Sequence, residues 1–196
     1  MKASRKIIVY IATSADGYIA RPDGDIEWLN RIHTVDHGIR KFYRTIDTIL
    51  WGRKTYDWGL AYQKKTGSKE SIFDKNVTNY IFSRKPPKKQ APGVTFVSEP
   101  VRAFARKLRS KPGKHIWMMG GGEIIASFLD AGEIDEFDIH VMPVFIGKGI
   151  PLIAPRHRDI QLRLLASRKF SDGVVRLHYH VPRSPARPKR TPKNES

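Results

Sequence analysis

The feature that most constrains the fold of this sequence is the change from an apolar run to three glycines within residues 116–125. Ile116–Met119 has the apolar character of a buried strand, and Gly120–Gly122 follow it without a spacer. An amphipathic helix is predicted to continue from there to Leu129. Glycines let the backbone approach a ligand closely, and a helix N-terminus presents N–H groups to an anion. The run therefore predicts a strand–turn–helix unit that binds phosphate.

Composition limits the class of protein. The chain has 196 residues, of which 40% are hydrophobic, and it contains no cysteine. Without cysteine there are no disulfides or thiolate metal sites, and the seven scattered histidines predict no metal site either. No apolar run approaches the roughly 20 residues that span a bilayer. We therefore expect one cytoplasmic domain.

The net charge of +17 is spread over the whole chain. Residues 181–196 carry a net +4, so the remaining residues carry +13. The Pro-, Arg- and Lys-rich segment 182–196 is predicted to be a disordered tail behind a domain that spans residues 1–181. The positive excess suits either weak attraction to nucleic acid or recruitment of phosphorylated ligands. The absence of an interleaved aromatic and basic platform disfavours nucleic acid.

Strands and helices are predicted to alternate along most of the chain, which is typical of an α/β domain. Strands are predicted at Lys6–Ala12, Asp47–Trp51, Asn79–Phe82, Val94–Val97, His115–Met119 and Phe137–Met142. Other helices are predicted at His37–Thr45, with Asp36 as its cap, at Arg53–Leu60 and at Pro100–Ser110, and loops at Thr13–Asp25 and Lys64–Lys75. Gln161–Ala166 and Val174–His180 alternate like an antiparallel pair, so the sheet is predicted to be mixed.

Two further strand ends carry residues suited to phosphate. Gly52 permits a turn, and the two cations and one hydroxyl of Arg53–Thr55 follow on a first helical turn, although a solvated basic helix start has the same composition. Ser83 and Arg84 follow the next strand and suit the 2′-phosphate of NADP, with a basic turn before a proline as the alternative. The dinucleotide fingerprint G-x-G-x-x-G is excluded, since Ile125 occupies its last position.

Several segments occur in a recognisable order. They are Ala12 with Asp16-Gly17-Tyr18-Ile19-Ala20, then Gly52-Arg53-Lys54-Thr55, Phe82-Ser83-Arg84 and Met119-Gly120-Gly121-Gly122. Together they resemble the dihydrofolate reductase superfamily. Ile134-Asp135-Glu136-Phe137, His140-Val141-Met142-Pro143-Val144 and Gly147-Lys148-Gly149-Ile150-Pro151-Leu152 are similar to its riboflavin-biosynthesis reductase branch. The resemblance covers roughly residues 5–180. It implies a three-layer α/β fold with a central mixed, mostly parallel sheet, antiparallel C-terminal strands, helices on both faces and NADPH across the strands' carboxyl ends.

The resemblance implies a role for each of these residues in binding NADPH. Ala12 and Ile19 would flank the nicotinamide, with residues 16–20 as a mobile loop over it. Phosphates are assigned to Gly52, Arg53, Lys54 and Thr55, and the adenosine 2′-phosphate to Ser83 and Arg84. The diphosphate is assigned to Gly120, Gly121 and Gly122, with Met119 and Glu123 beside them. A cis peptide is expected inside the glycine run, because non-proline cis bonds occur mainly where glycine and function both favour them.

The substrate end is assigned from the same resemblance. A proton donor is needed if an imine-like bond is reduced, since the cofactor supplies only the hydride. Asp36 lies 16 residues before Gly52, close to where dihydrofolate reductases place their pterin-binding carboxylate, with a helix N-cap as its alternative role. Glu27 is a second candidate for catalysis. Substrate binding is assigned to Asp16, Trp28 and His140, and a packed core position is the alternative for His140.

These assignments predict an NADPH-dependent reductase of a small heterocycle, either a pteridine such as dihydrofolate or a ribosylaminopyrimidine precursor of flavin. Dihydrofolate reductases carry a proline before the tryptophan that Trp28 resembles, and its absence here disfavours folate. The chain has neither room nor cysteines for the zinc deaminase domain of bifunctional riboflavin enzymes. A non-catalytic NADP(H)-binding protein and a basic nucleic-acid-associated protein are the alternatives. Related reductases pair through late strands, which implies a homodimer.

Overall fold

An eight-stranded sheet organises the fold. The computed structural model describes residues 5–31, 35–68, 71–157 and 159–183, so residues 184–196 of the predicted tail lie outside the described part. The strands are β1 (Ile7–Ser14), β2 (Tyr18–Ala20), β3 (Ile46–Gly52), β4 (Thr78–Phe82), β5 (Val94–Val97), β6 (His115–Gly120), β7 (Glu136–Met142), β8 (Ile150–Pro151), β9 (Arg163–Lys169) and β10 (Val175–His180). The helices are α1 (Ile39–Tyr43), α2 (Arg53–Thr66), α3 (Val101–Arg109) and α4 (Gly122–Asp130), with a 3-10 helix over Glu27–Arg31.

The order of strands in the main sheet is β5-β4-β3-β6-β1-β7-β10-β9. Neighbours from β5 to β7 are parallel, whereas β10 is antiparallel to both β7 and β9. The predicted mixed, mostly parallel sheet with antiparallel C-terminal strands is thereby confirmed. None of the helices in the described part of the chain has the length and apolar character needed to cross a membrane.

Alternating side chains of the central strands form a core on each face of the sheet. Ile7 and Val9 of β1 belong to a buried cluster with Phe104 of α3 and Phe128 of α4. Tyr10 points to the opposite face, where its cluster includes residues of α1 and α2. Full burial of a large apolar side chain contributes about 1.5–3 kcal/mol. The helices therefore cover both faces of the sheet, and the predicted three-layer architecture is confirmed.

Two predicted loops contain regular structure. Helix α2 continues past the predicted end at Leu60 to Thr66, because residues 61–65 are mostly good helix formers and Gly67 ends the helix in the left-handed conformation (φ 66°). Residues 64–66 are therefore helical rather than loop. Within the predicted loop Thr13–Asp25, β1 extends to Ser14 and β2 pairs with β8. That pairing joins segments about 130 residues apart, which local pattern does not reveal.

The first helix and the penultimate strand differ from their predicted bounds. Helix α1 begins at Ile39 rather than His37, and its N-cap is Gly38 (φ 96°). The predicted N-cap role of Asp36 is wrong, because Asp36 lies two residues before the N-cap, Gly38. Its carboxylate accepts a hydrogen bond from the N–H of Gly38 itself (2.8 Å). Strand β9 is shifted, starting at Arg163 instead of Gln161 and continuing to Lys169.

Candidate active site

The three predicted phosphate-binding segments start from neighbouring points on the carboxyl edge of the sheet. Gly52 at the end of β3 is in register with Phe82 of β4, and Trp51 is in register with Gly120 of β6. Helix α2 begins directly after Gly52 and α4 directly after Gly121. Because both cap residues are glycines, no cap side chain occupies the N–H groups of either first turn. Two helix N-termini therefore face the same edge, an arrangement suited to anions.

The glycine turn, the start of α2 and strand β2 lie close together. A β-carbon at position 121 would lie 3.4 Å from Thr55 Oγ1 and 3.7 Å from Ile19 Cδ1. A β-carbon at position 52 would lie 3.3 Å from the carbonyl oxygen of Gly120. The peptide between Gly120 and Gly121 is cis, so the predicted cis bond is confirmed. The structure thus brings together residues from three of the segments assigned to NADPH.

Gly122 has a different environment from Gly121. A β-carbon on Gly122 would lie only 2.5 Å from the carbonyl oxygen of Pro151 and 3.3 Å from the Ala154 nitrogen. The Ala154 N–H also donates to the Gly122 carbonyl oxygen (3.2 Å). Gly122 is therefore required for packing against β8 and the segment after it, whereas a β-carbon at Gly121 would make only ordinary contacts.

Arg53 connects the start of α2 to the segment after β4. Its Nη1 donates to the Lys85 carbonyl oxygen (2.8 Å), and its Nε lies 2.9 Å from both carboxylate oxygens of Asp57. Ser83 Oγ accepts a hydrogen bond from the Lys85 N–H (3.2 Å). The guanidinium of Arg53 is thus already paired. Asp57 was not predicted from the sequence as its partner, although a spacing of four residues on one helix favours such an ion pair.

The other residues assigned to the cofactor differ in exposure. The side chains of Lys54 and Arg84 are exposed at the same edge of the sheet as the glycine turn. Met119 packs against the core on the face covered by α1 and α2. The carboxylate of Glu123 is 3.1 Å from Arg156, and its place beside the diphosphate stays a prediction. Lys54 and Arg84 are therefore the cations of the predicted set that remain available to a phosphate.

These features fit a phosphorylated dinucleotide. Gly121 caps α4 and lies close to the first turn of α2, so two helix N-termini without side-chain caps are near each other. Among the described residues, no three His, Asp or Glu side chains are grouped closely enough to hold a metal ion. The donors present are amides, hydroxyls and cations, which are the usual ligands of phosphate.

The substrate end lies where β1 and β7 finish. Ala12 of β1 is in register with His140 of β7. The side chain of His140 is 4% exposed, and its Nε2 lies 3.1 Å from the His37 carbonyl oxygen and 3.4 Å from the Tyr10 hydroxyl. Its Nδ1 is buried without a hydrogen-bond partner among the described residues. Burial lowers the pKa of His140 and keeps the ring neutral, so one ring nitrogen remains an acceptor.

The two candidate proton donors lie in different places. Asp36 is exposed and close enough to Tyr10 that its charge helps to raise the pKa of that phenol, after the larger effects of burial and Asp138. Glu27 lines a cavity of about 360 Å³ between the loop after β2 and α2, beside the stacked rings of Trp58 and Tyr62. Of these two candidates, Asp36 is the one whose charge reaches Tyr10 near the Ala12–His140 end of the sheet.

Trp28 and Asp16 hold the structure around the site. Trp28 is 1% exposed in a cluster with Met142, and its position is that of a core residue. The Asp16 carboxylate accepts hydrogen bonds from the N–H groups of Ile146 (3.2 Å) and Gly147 (2.7 Å). The loop after β1 is thereby fastened to the loop after β7. The substrate-binding roles of both residues stay predictions.

Comparison with known proteins identifies the family. Residues 5–176 match the RibD C-terminal domain. The chain belongs to the RibD C-terminal domain family. YwjB, an uncharacterized protein of Bacillus subtilis, is 40% identical to this RibD C-terminal domain protein over 89% of the chain and 97% of its own length. YyaP, an uncharacterized protein of the same organism, is 35% identical over 90% of the chain and 95% of its own length.

Solved structures share the fold. A Shewanella sp. PV-4 protein assigned to riboflavin biosynthesis is 26% identical, with a TM-score of 0.77 over 91% of this chain and 99% of its own. A Thermotoga maritima diaminohydroxyphosphoribosylaminopyrimidine deaminase/5-amino-6-(5-phosphoribosylamino)uracil reductase is 16% identical with a TM-score of 0.68. The alignment covers 91% of the present chain and 57% of that longer protein. At this identity the second likeness concerns the fold alone.

Sequence reasoning missed three side chains at the substrate end of this RibD C-terminal domain. Tyr10 lies two residues before Ala12 on the same face of β1, and that period-2 spacing was a usable signal. His37 and Asp172 form a pair across 135 residues of sequence. No local pattern predicts such a contact, because it depends on the packing of the β9–β10 turn against the segment before α1.

Proposed function

We propose that this protein is an NADPH-dependent reductase that transfers a hydride to a ribosylaminopyrimidine, with a dihydropteridine as the alternative acceptor. The observation that carries the proposal is the close approach of Gly121, Thr55 and Ile19 at two helix N-termini. Membership of the RibD C-terminal domain family and the reductase named among its structural neighbours support the reaction class.

NADPH would be held by groups that this edge of the sheet already presents. The N-terminal amides of α2 and α4, the Thr55 hydroxyl and the Lys54 ammonium would bind the diphosphate. Arg84 would bind the 2′-phosphate, the group that distinguishes NADPH from NADH. When bound, the cofactor supplies the hydride, and the protein positions the reactants and excludes water. Arg53 would act mainly by holding residues 83–85 against α2, since its guanidinium is already paired.

The substrate end offers a proton source and a neutral acceptor. Asp36 is exposed, its charge reaches Tyr10, and it is the proposed proton donor, acting directly or through a bound water. His140 would accept a hydrogen bond from an N–H of the heterocycle, because one of its ring nitrogens has no partner among the described residues. Tyr10 lies beside His140 with a pKa far above its usual value, so its hydroxyl stays protonated and donates to the His37 carbonyl oxygen.

The test is oxidation of NADPH by the full chain with two acceptors, 5-amino-6-(5-phosphoribosylamino)uracil and dihydrofolate. We expect turnover with the aminopyrimidine and little or none with dihydrofolate. Asp36→Asn is expected to lower kcat by about 100-fold or more, the usual contribution of a general acid, while the Kd for NADPH stays within about twofold. Glu27→Gln is the matched control and is expected to leave kcat nearly unchanged.

Three results would change the proposal. A large loss of kcat in Glu27→Gln but not in Asp36→Asn would exchange their roles. Faster turnover with dihydrofolate would favour the pteridine alternative. Tight NADPH binding without oxidation by either acceptor would contradict the enzyme and favour a non-catalytic NADP(H)-binding protein.

A further inference from the structure

A buried hydrogen bond joins two distant segments above the substrate end. His37 Nε2 lies 2.7 Å from Asp172 Oδ2, and the two side chains are 16% and 8% exposed. His37 belongs to the segment before α1, whereas Asp172 lies in the turn between β9 and β10. The His37 ring also packs edge-on against Phe170, with ring centroids 4.9 Å apart. The pair therefore fastens the start of α1 to the C-terminal hairpin.

His37 also contacts the sheet through its main chain. Its carbonyl oxygen accepts hydrogen bonds from the Tyr10 hydroxyl (3.2 Å) and from His140 Nε2 (3.1 Å). Helix α1 follows directly and places Phe42 in a stacked contact with Tyr10, 4.3 Å between ring centroids. Displacement of His37 would therefore disturb three contacts at the end of β1 and β7.

The chemistry of the pair favours a lasting hydrogen bond. Burial would raise the pKa of Asp172, but hydrogen bonds from His37 and from the Val174 N–H hold it below its ordinary value. Asp172 is therefore ionised at neutral pH and accepts a charge-assisted hydrogen bond from His37. Such bonds are among the stronger contacts that hold one segment of a protein to another.

We infer that His37 and Asp172 are positioning residues for the substrate end. Asp36 precedes His37 directly, and its carboxylate is oriented by the Gly38 N–H. By fixing His37, the pair sets the place of the Asp36 carboxylate relative to Tyr10 and His140. The inference rests on the proposed function, because it concerns the carboxylate that the proposed reaction uses. Neither residue is assigned a contact with the reacting atoms.

The test compares His37→Ala, Asp172→Ala, the double variant and His37→Gln in the full chain. His178→Ala is a matched control, because it removes another His–carboxylate pair (His178 to Glu136, 3.0 Å, 22% and 8% exposed) at the opposite end of β7. The measurements are kcat and KM for 5-amino-6-(5-phosphoribosylamino)uracil, the Kd for NADPH, and hydrogen exchange of the amides of residues 38–43.

The two single alanine variants are expected to lower kcat/KM for the acceptor at least about tenfold, the factor that one hydrogen bond to a charged group provides. The Kd for NADPH is expected to stay within about twofold, and amide exchange over residues 38–43 to rise at least about tenfold. The double variant is expected to lose no more than either single variant, since the two side chains act as one unit. His37→Gln, which keeps a donor, is expected to recover part of the loss.

The outcomes separate this inference from the proposed function. Normal kcat/KM and unchanged exchange in both single variants, as expected for His178→Ala, would overturn the inference while the proposed function stands. Equal losses in His178→Ala would also overturn it, because the effect would then be one of general stability. Absence of turnover by the wild-type protein would overturn the proposed function, and the positioning role with it.

Discussion

The neighbouring glycines 121 and 122 allow the same substitution to test binding and packing separately. In Gly121→Ala the new methyl group would meet Thr55 Oγ1 at 3.4 Å and Ile19 Cδ1 at 3.7 Å, which are ordinary contact distances. In Gly122→Ala it would lie 2.5 Å from the Pro151 carbonyl oxygen, which is backbone and cannot move aside easily. We therefore expect Gly121→Ala to weaken NADPH binding without unfolding the protein, and Gly122→Ala to destabilise the fold.

The magnitudes follow from these distances. A methyl group at position 121 would occupy space assigned to the diphosphate. Loss of one hydrogen bond to a charged group costs about 1.5–3 kcal/mol, which corresponds to a Kd for NADPH about 10- to 150-fold weaker. The free energy of unfolding is expected to change by less than about 1 kcal/mol, since the φ of −77° at Gly121 suits alanine. Overpacking at position 122 is expected to cost about 1–3 kcal/mol and to lower Tm by roughly 2–10 °C.

The assay combines fluorescence titration with NADPH and thermal unfolding without the cofactor. The account predicts opposite patterns, with a weakened Kd and near-normal Tm for Gly121→Ala and a lowered Tm for Gly122→Ala. An unchanged Kd in a folded Gly121→Ala protein would refute the placement of the diphosphate in front of this residue. A normal Tm in Gly122→Ala would show that the segment after β8 does not pack against the glycine turn.

Three further predictions concern other parts of the molecule. Arg84→Ala is expected to weaken NADPH at least about tenfold and NADH much less, and equal losses would refute its 2′-phosphate role. Hydrogen bonds from Ser14, Gly147 and Ile146 lower the pKa of Asp16, so its contribution to stability is present above about pH 4 and lost as the pH falls through its folded-state pKa. Asp16→Asn is thus expected to lower Tm at pH 6, and to lower it progressively less as the pH falls below about 4. Every residue of edge strand β9 is exposed, Leu164 to 53%, so we expect a homodimer through this strand that Leu164→Glu converts to a monomer.

The first two of these predictions have a control variant, and the third has a direct test on the wild-type protein. Lys88→Ala, an exposed cation outside the assigned set, is expected to leave the Kd values for NADPH and NADH unchanged. Asp23→Asn alters an exposed carboxylate in the same part of the chain, and a pH dependence equal to that of Asp16→Asn would contradict the specific role of Asp16. Light scattering that finds a monomeric wild-type protein would contradict the homodimer.

Local sequence signals predicted the parts of the fold that depend on short segments. The strand–glycine–helix units at Gly52 and Gly120 were recognisable because turn chemistry and apolar runs are adjacent in sequence. The cis peptide was expected from the family resemblance and is present at Gly120–Gly121. The end of α2 was missed because the lysines after Leu60 resemble a loop by charge, although they are good helix formers.

The contacts that shape the substrate end could not be predicted in the same way. The β2–β8 pairing and the His37–Asp172 hydrogen bond join segments about 130 residues apart. Their formation depends on how the loops and the C-terminal hairpin pack, which single-sequence periodicity does not encode. Trp28 shows the same limit, since its sequence position did not indicate that its ring lies in a core cluster.

The most direct test of the central claim is titration of the wild-type full chain with NADPH and, in parallel, with NADH. The account predicts saturable binding of one NADPH per chain, at least about tenfold tighter than NADH because of the additional 2′-phosphate. Absence of saturable NADPH binding would contradict the account, because the residues around Gly121, Thr55 and Ile19 would then have no assigned ligand.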